Sequence, residues 1–422
     1  MKAIITRKGK KIAGKILYDV PTKYSSTVNK TTLTDLNNKK YDLTSSTFGD
    51  GGIGVFGGYN GSGVATVEYY ANTTHTMSNL TNLNNAKYYA TSSTFKDGGI
   101  GVFGGTTGSA VSQVDYFENT THTKSMLTVL NSKNYDLASS TFGDGGVGVF
   151  GGRSSSSGYL TSSEYYENET HTKSALTGLS TSRYAHTVST FGDGSVGIFG
   201  GRNSSNTAIV EHYTDTTHTR STLTDTSSSR VNATSSTFGD GGIGVFGGGT
   251  SNSSLNATVD YYENETHTKS TLTDMSSARY YHKSSTFANG GIGVFGGYNG
   301  SSANNEVLFY EDITHTMSNL TNLSTVRRNT TTSTFKDGGI GVFGGYSTTY
   351  LSTVEYYNFK KETEAILNIP IGSKYKFNEH SSEQLATSNN ITLTRPNTGY
   401  VIPSKEVINL WANVYWIKKK KV

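Results

Sequence analysis

The chain has 422 residues, 49 of them glycine and four proline, with no cysteine and a formal net charge of +4. That composition rules out disulfides and thiolate metal sites, and it speaks against helices, since glycine and β-branched threonine are weak helix formers. The charge is uneven: residues 1–20 carry Lys2, Arg7, Lys8, Lys10, Lys11 and Lys15 against Asp19, and residues 360–422 carry ten Lys/Arg against five Glu, so the stretch between is net acidic.

In chain order, residues 1–22 read as a basic arm with Lys8-Gly9-Lys10 as a hairpin tip. Nothing near residue 1 forms the apolar run of a signal peptide or a membrane span. From residue 46 one phrase recurs seven times, S-T-F-x-(D/N)-G-(G/S)-(I/V)-G-(V/I)-F-G-G. Its closing pairs are Gly57-Gly58, Gly104-Gly105, Gly151-Gly152, Gly200-Gly201, Gly247-Gly248, Gly296-Gly297 and Gly344-Gly345, spaced by 47 to 49 residues. Such a period marks stacked or radial units that form one large domain. All four prolines, at positions 21, 370, 396 and 403, lie outside the repeats, as a paired β core requires.

One unit predicts four strands. Residues 88–95 form the first, Lys96-Asp97-Gly98-Gly99 a tight turn, and Ile100–Phe103 the second. After a variable loop, Val114–Phe117 form the third, and the Asn-x-Thr-His-Thr turn leads to a fourth ending in Leu127-Thr128-Val129-Leu130. Mid-strand Gly54, Gly101 and Gly148 predict a crowded position near the axis of a ring. The last unit lacks its fourth strand after Tyr356-Tyr357. Residues 28–36, V-N-K-T-T-L-T-D-L, align with His267–Met275 and are expected to supply it, clasping the two chain ends together.

Across residues 25–358 these features resemble the kelch family. Gly-Gly is in every unit, followed by an aromatic residue at Tyr70, Phe117, Tyr166, Tyr213, Tyr262, Tyr310 and Tyr357. A basic residue precedes the next first strand at Lys40, Lys87, Arg183, Arg230, Arg279 and Arg327, with Asn134 the exception. The family's tryptophan is replaced by Met77, Lys124, Lys173, Arg220, Lys269 and Met317. The resemblance implies an all-β, seven-bladed β-propeller over residues 23–358, with four-stranded antiparallel blades and an N-terminal strand closing the last. A small β-rich docking appendage is expected over residues 359–422, where Trp411, Tyr415 and Trp416 precede four lysines.

Antiparallel order puts the loops after Gly-Gly on one face with the inter-blade connections. The resemblance and the residue types both point there for a ligand: Tyr59, Arg153, Arg202, Tyr298 and Tyr346 after Gly-Gly, with Arg183, Arg230, Arg279, Arg327, Tyr88 and Tyr280 opposite. The competing reading gives the arginines inter-blade hydrogen bonds and the tyrosines a packing role. The other face carries a turn Asp in most units and a His at positions 75, 122, 171, 218, 267 and 315. Asp-Gly turns have backbone reasons, and the histidines should lie too far apart to share an ion, so no metal or other cofactor is expected. His186 and His282 break the repeat and are candidates to face the channel.

No catalytic residues are expected. Without cysteine a galactose-oxidase-like Cys–Tyr crosslink is excluded, and the sialidase Asp-box and the Walker loop are both unmet. The acidic repeats carry no nucleic-acid signature. The expected role is a noncatalytic binding or structural propeller of a bacteriophage particle. It would be mounted in several copies on other virion proteins through its ends, with a host-surface glycan or protein as ligand. A bacterial kelch module binding a protein, in the cytoplasm or at the cell surface, and a carbohydrate-active enzyme are the alternatives.

Overall fold

Blade 2 shows why each repeat becomes a sheet. Its inner strand, Thr91–Thr94, turns into a second, Ile100–Phe103, through Asp97, whose carboxylate takes the Gly99 N–H at 2.7 Å while Gly98 supplies φ +87°. Val114–Phe117 and Lys124–Met126 complete an antiparallel sheet whose order follows the chain. In this computed structural model residues 27–359 are described with their side chains, apart from 157 and 250–253. Outside that range only strand backbone is described, at 2–7, 10–15, 23–26, 360–362, 364–368, 374–375, 384–385 and 390–394. Seven such four-stranded sheets form a ring, and among the described residues there is no helix. The inner strand is shorter than residues 88–95, because Tyr88 bridges to Thr106 and Tyr89 adopts φ +53°.

The ring closes with the N-terminal segment. Lys23–Thr32 is the outer strand of blade 7, beside Val354–Glu362. The Leu33 N–H reaches the Val354 carbonyl at 3.0 Å, the Lys30 ammonium lies 2.6 Å from the Glu355 carboxylate, and the Tyr70 hydroxyl donates to the Thr34 carbonyl at 2.7 Å. The strand ends before the predicted residue 36 because the L-T-x-L half leaves the ladder in each blade. Its last leucine caps the blade instead: Leu36, Leu83, Leu130 and Leu179 are all buried.

The core lies between blades. One apolar cluster joins Phe56, Val67 and Leu83 of blade 1 to Ile100, Val102 and Phe117 of blade 2. Gly101 is needed in that layer, since a Cβ there would stand 2.5 Å from the Phe103 ring and 3.1 Å from Phe95. The crowd around it is aromatic and not axial, which corrects the expected placement of these glycines. The axis belongs to the inner strands, whose serines and threonines alone line a cavity of about 480 Å³.

Three closed circuits of seven hydrogen bonds lock the blades. At the head of the inner strands Asp42, Tyr89, Asp136, Ala185, Asn232, Tyr281 and Asn329 all have φ between 51° and 57°. Each donates its N–H to the carbonyl of the one before, at 3.0–3.2 Å, and Asp42 closes on Asn329. At the foot, the Thr94 hydroxyl donates to the Thr47 carbonyl at 2.6 Å, and the same bond repeats around to Thr47 on Thr334. Beyond it a backbone circuit starts with the Gly49 N–H on Gly98 and closes with Lys336 on Gly51.

The residues that stand where the resemblance led to an expected tryptophan have local partners. Lys173 lies 3.3 Å from Glu164 and Lys269 lies 3.8 Å from Asp260, both carboxylates buried in the third strand, while Met77 and Met317 pack on apolar clusters.

Residues 1–27 with 360–422 form a second unit distinct from 28–359. In it Lys2–Arg7 pairs with Lys10–Lys15, Glu364–Asn368 with Asn390–Thr394, and Lys374–Tyr375 with Gln384–Leu385. Trp411, Tyr415 and Trp416 fall outside the described residues.

Candidate ligand-binding face

The basic residues of the repeat are inside the blades. Arg183, Arg230 and Arg327 are fully buried and pair with Glu211, Asp260 and Glu355; Lys40 and Lys87 pair with Glu68 and Asp115 at 2.7 and 2.9 Å. Arg183 also donates to the Gly200 and Ile209 carbonyls at 3.1 and 2.9 Å. Arg279 is buried and reaches the half-buried Glu306 at 3.3 Å, because Leu308 fills the usual acid position of blade 6. The expectation that Arg183, Arg230, Arg279 and Arg327 face a ligand is therefore corrected. Desolvation would be prohibitive without partners, so each basic side chain spends its donors on the sheet that buries it.

The remaining residues of that expectation do share one face. The residue after each Gly-Gly bridges the residue after each basic position: Tyr59 with Tyr41, Thr106 with Tyr88, Arg153 with Tyr135, Arg202 with Tyr184, Tyr298 with Tyr280 and Tyr346 with Arg328. Most of these side chains are half-buried; Arg202 is exposed and Thr106 buried.

Their rings form an arc around the head of the channel. Tyr59 lies 4.8 Å from Tyr88 and 5.5 Å from Tyr41, and Tyr41 stacks on Tyr350 at 5.5 Å. In one direction the Arg328 guanidinium bridges Tyr346 and Tyr298 at 5.3 and 4.3 Å, and Tyr298 leads to Tyr280. In the other, Tyr89 leads to Tyr135, and Arg153 lies over Tyr135 and Tyr184 at 4.5 and 4.7 Å. Among the described residues the arc breaks only at blade 5, where Val231 faces Gly249.

Inside the arc the mouth is charged. Asp136 accepts from Arg153 at 2.9 Å and Asp42 from the Asn329 amide at 2.5 Å. Burial pushes the Asp42 carboxyl up to about 7 and Asp136 up to about 6, opposed by those partners and by the Lys283 charge. Lys283 heads the inner strand of blade 6, where five other blades have threonine. Its side chain is exposed at the channel mouth, but the protein packed around it pulls its pKa down by desolvation while the two aspartates hold it up.

Asp42, Asp136, Lys283, Tyr350 and Arg328 were not singled out from the sequence. Departure from the repeat was the available signal for Lys283. His186 and His282, by contrast, do not face the channel. Both are buried where Leu43 and Leu137 sit in other blades, and His282 hydrogen bonds the Phe246 carbonyl at 3.1 Å. Burial drives both pKa values down to about 3, so they stay neutral.

On the opposite face, histidine and aspartate meet across blades. His122 reaches Asp50 at 3.2 Å, and the pattern repeats with His171 on Asp97, His218 on Asp144, His267 on Asp193, His315 on Asp240 and His75 on Asp337. The aspartate also holds its own turn and, in five blades, a tyrosine hydroxyl such as Tyr69 at 2.6 Å. These histidines are inter-blade fasteners and not isolated side chains on the rim.

The fold is that of a seven-bladed β-propeller. Its backbone is similar to the solved structure titled "Structure of YjhT", with a TM-score of 0.54 over 68% of this chain and 99% of that one, at 14% identity. At that identity the likeness is one of fold alone. No protein-family model and no curated protein matches the sequence.

Proposed function

We propose that this protein is a noncatalytic, kelch-like binding propeller of a bacteriophage particle, mounted on other virion proteins by its terminal segments and holding a host-surface glycan at the head of its channel. The observation that carries the glycan reading is the arc of tyrosines and arginines around that mouth. Sugar rings present apolar C–H faces edged by hydroxyls. Half-buried tyrosine rings suit the first, and Arg153, Asp136, Asn329 and Lys283 offer donors and acceptors for the second. Tyrosine and arginine also bind at low entropic cost, because the arc already holds them in place. The virion setting is supported by close similarity among blades, the Ser/Thr/Asn/Tyr-rich loops and the basic, Trp-bearing ends, and is argued by analogy.

A glycan array probed with the intact protein tests the reading. Tyr59→Ala and Arg153→Ala should each weaken the strongest signals at least tenfold, while Ile313→Ser on the other face, where Ile313 is 81% exposed, should leave them unchanged. Equal binding by all three variants would refute the face. Release of reducing sugar from a bound glycan would refute the noncatalytic part and favour an enzyme using Asp42 and Asp136.

A further inference from the structure

One of the His–Asp fasteners differs from the rest in a way that changes its chemistry. In five blades the turn aspartate accepts from a tyrosine hydroxyl and pairs with the next blade's histidine. In blade 4 the tyrosine is replaced by His212, which joins Asp193 and His267 of blade 5. We propose that Asp193, His212 and His267 bind a divalent transition metal, Zn²⁺ or a close analogue, on the foot face between blades 4 and 5.

Geometry supports three-point ligation. One donor atom from each residue lies within 4.8 Å of the other two, and His267 Nε2 already stands 3.2 Å from the Asp193 carboxylate. Donors about a tetrahedral ion at roughly 2.0–2.1 Å stand about 3.3 Å apart, so the Asp193–His267 pair already has that spacing and the remaining separations, at most 4.8 Å, must shorten. That side chain is 5% exposed, and its Nε2 is buried with no hydrogen-bond partner. In a protein interior such an atom is normally paired, and a metal ion would supply the missing partner. Its other nitrogen, Nδ1, sits 3.3 Å from the Ser221 hydroxyl, the kind of outer contact that fixes a ligating imidazole.

The carboxylate is steadied in the same way. Ser195, in place of the glycine used by other units, gives both its N–H and its hydroxyl to Asp193, at 2.8 and 2.6 Å. The Asp193 side chain is 38% exposed, which leaves a solvent path for further ligands. Two imidazoles and one carboxylate suit zinc better than calcium or magnesium, which prefer oxygen-rich shells.

The test is Co²⁺ titration of the full chain, read by visible d–d absorption, with Zn²⁺ competition. The wild type should saturate at one ion per chain and release Co²⁺ to Zn²⁺. His212→Tyr and Asp193→Asn should each bind at least 100-fold more weakly, and His218→Ala, which removes the partner of Asp144 at the junction of blades 3 and 4, should bind as the wild type does. Both losses should occur without unfolding, because tyrosine at this node is what five other blades carry and asparagine is what blade 6 carries at Asn289. No saturable Co²⁺ band in the wild type, or equal affinity in His212→Tyr, would overturn the proposal.

Discussion

Replacing Arg183 by methionine separates a structural arginine from a ligand-binding one. Its guanidinium and the Glu211 carboxylate are both fully buried, and it also satisfies the Gly200 and Ile209 carbonyls. Breaking such a pair from one side costs about 3–5 kcal/mol, because a buried charge loses its counterion. Glu211 would keep the Ser180 N–H at 2.7 Å and Arg220 at 3.6 Å, which places Arg183→Met near the lower end, about 3 kcal/mol. Blade 3 supplies the calibration. There Asn134 gives its amide to the Gly151 carbonyl at 3.1 Å, while Glu164 is served by the Asn131 N–H and Lys173. Arg183→Asn should thus recover one hydrogen bond and cost about 1 kcal/mol less than the methionine. Urea unfolding at pH 7 measures both, and glycan binding by the folded protein should not change. A loss under about 1 kcal/mol accompanied by lost binding would refute the structural assignment.

The mouth carboxyls predict a pH dependence. Asp42 titrates near 7 when folded, above its unfolded value, so its contribution is complete below about pH 4 and disappears as pH rises through 7. The upper bound is about 4 kcal/mol, and Asp42→Asn should flatten the thermal midpoint between pH 4 and 8; a curve parallel to the wild type would refute this. Deleting residues 1–32 opens the edge of Val354–Glu362 and should lower the midpoint by roughly 5–10 °C, with a peptide of residues 23–36 restoring it in trans. An unchanged midpoint would refute the clasp.

The architecture was legible because repetition averages out local ambiguity. Seven copies of the Asp-Gly or Asn-Gly turn and the Phe-Gly-Gly stop located the second and third strands to the residue at Ile100–Phe103 and Val114–Phe117. The first and fourth strands were misjudged at their ends, where Tyr89 enters a left-handed conformation and Leu127 leaves the ladder, and neither event has a glycine to announce it. The binding face was legible as a face. Which residues on it reach solvent was not, since Arg183 and Arg153 look alike until the third-strand acid that captures the first is placed beside it. The axis was mistaken for the glycine layer because small residues suit both places. Only the inter-blade register shows that Ser and Thr hydroxyls, bonding to one another and to carbonyls, fill the centre.

Departures from the repeat are informative when they come in matched sets. A histidine reaches back to the preceding blade's aspartate at six junctions, but the last unit has no Thr-His-Thr turn, because its outer strand comes from the other end of the chain. Blade 6 is therefore the one blade without an incoming histidine. There the aspartate has become Asn289 and the tyrosine Phe309, and Phe359 fills the space, 4.8 Å from Phe309 and 4.9 Å from Phe287. An Asp–Tyr pair left with no imidazole above it would bury a carboxylate short of one partner, and an aromatic triad avoids that cost. The substitutions are thus a consequence of where the ring is clasped, and they have a structural cause. His212 has no such cause, since blade 4 stands between blades with complete strands, and Lys283, although in blade 6, heads the inner strand on the opposite face from the missing histidine. Where topology does not require a departure from symmetry, function is the next place to look, and the Co²⁺ titration puts that to the test at His212.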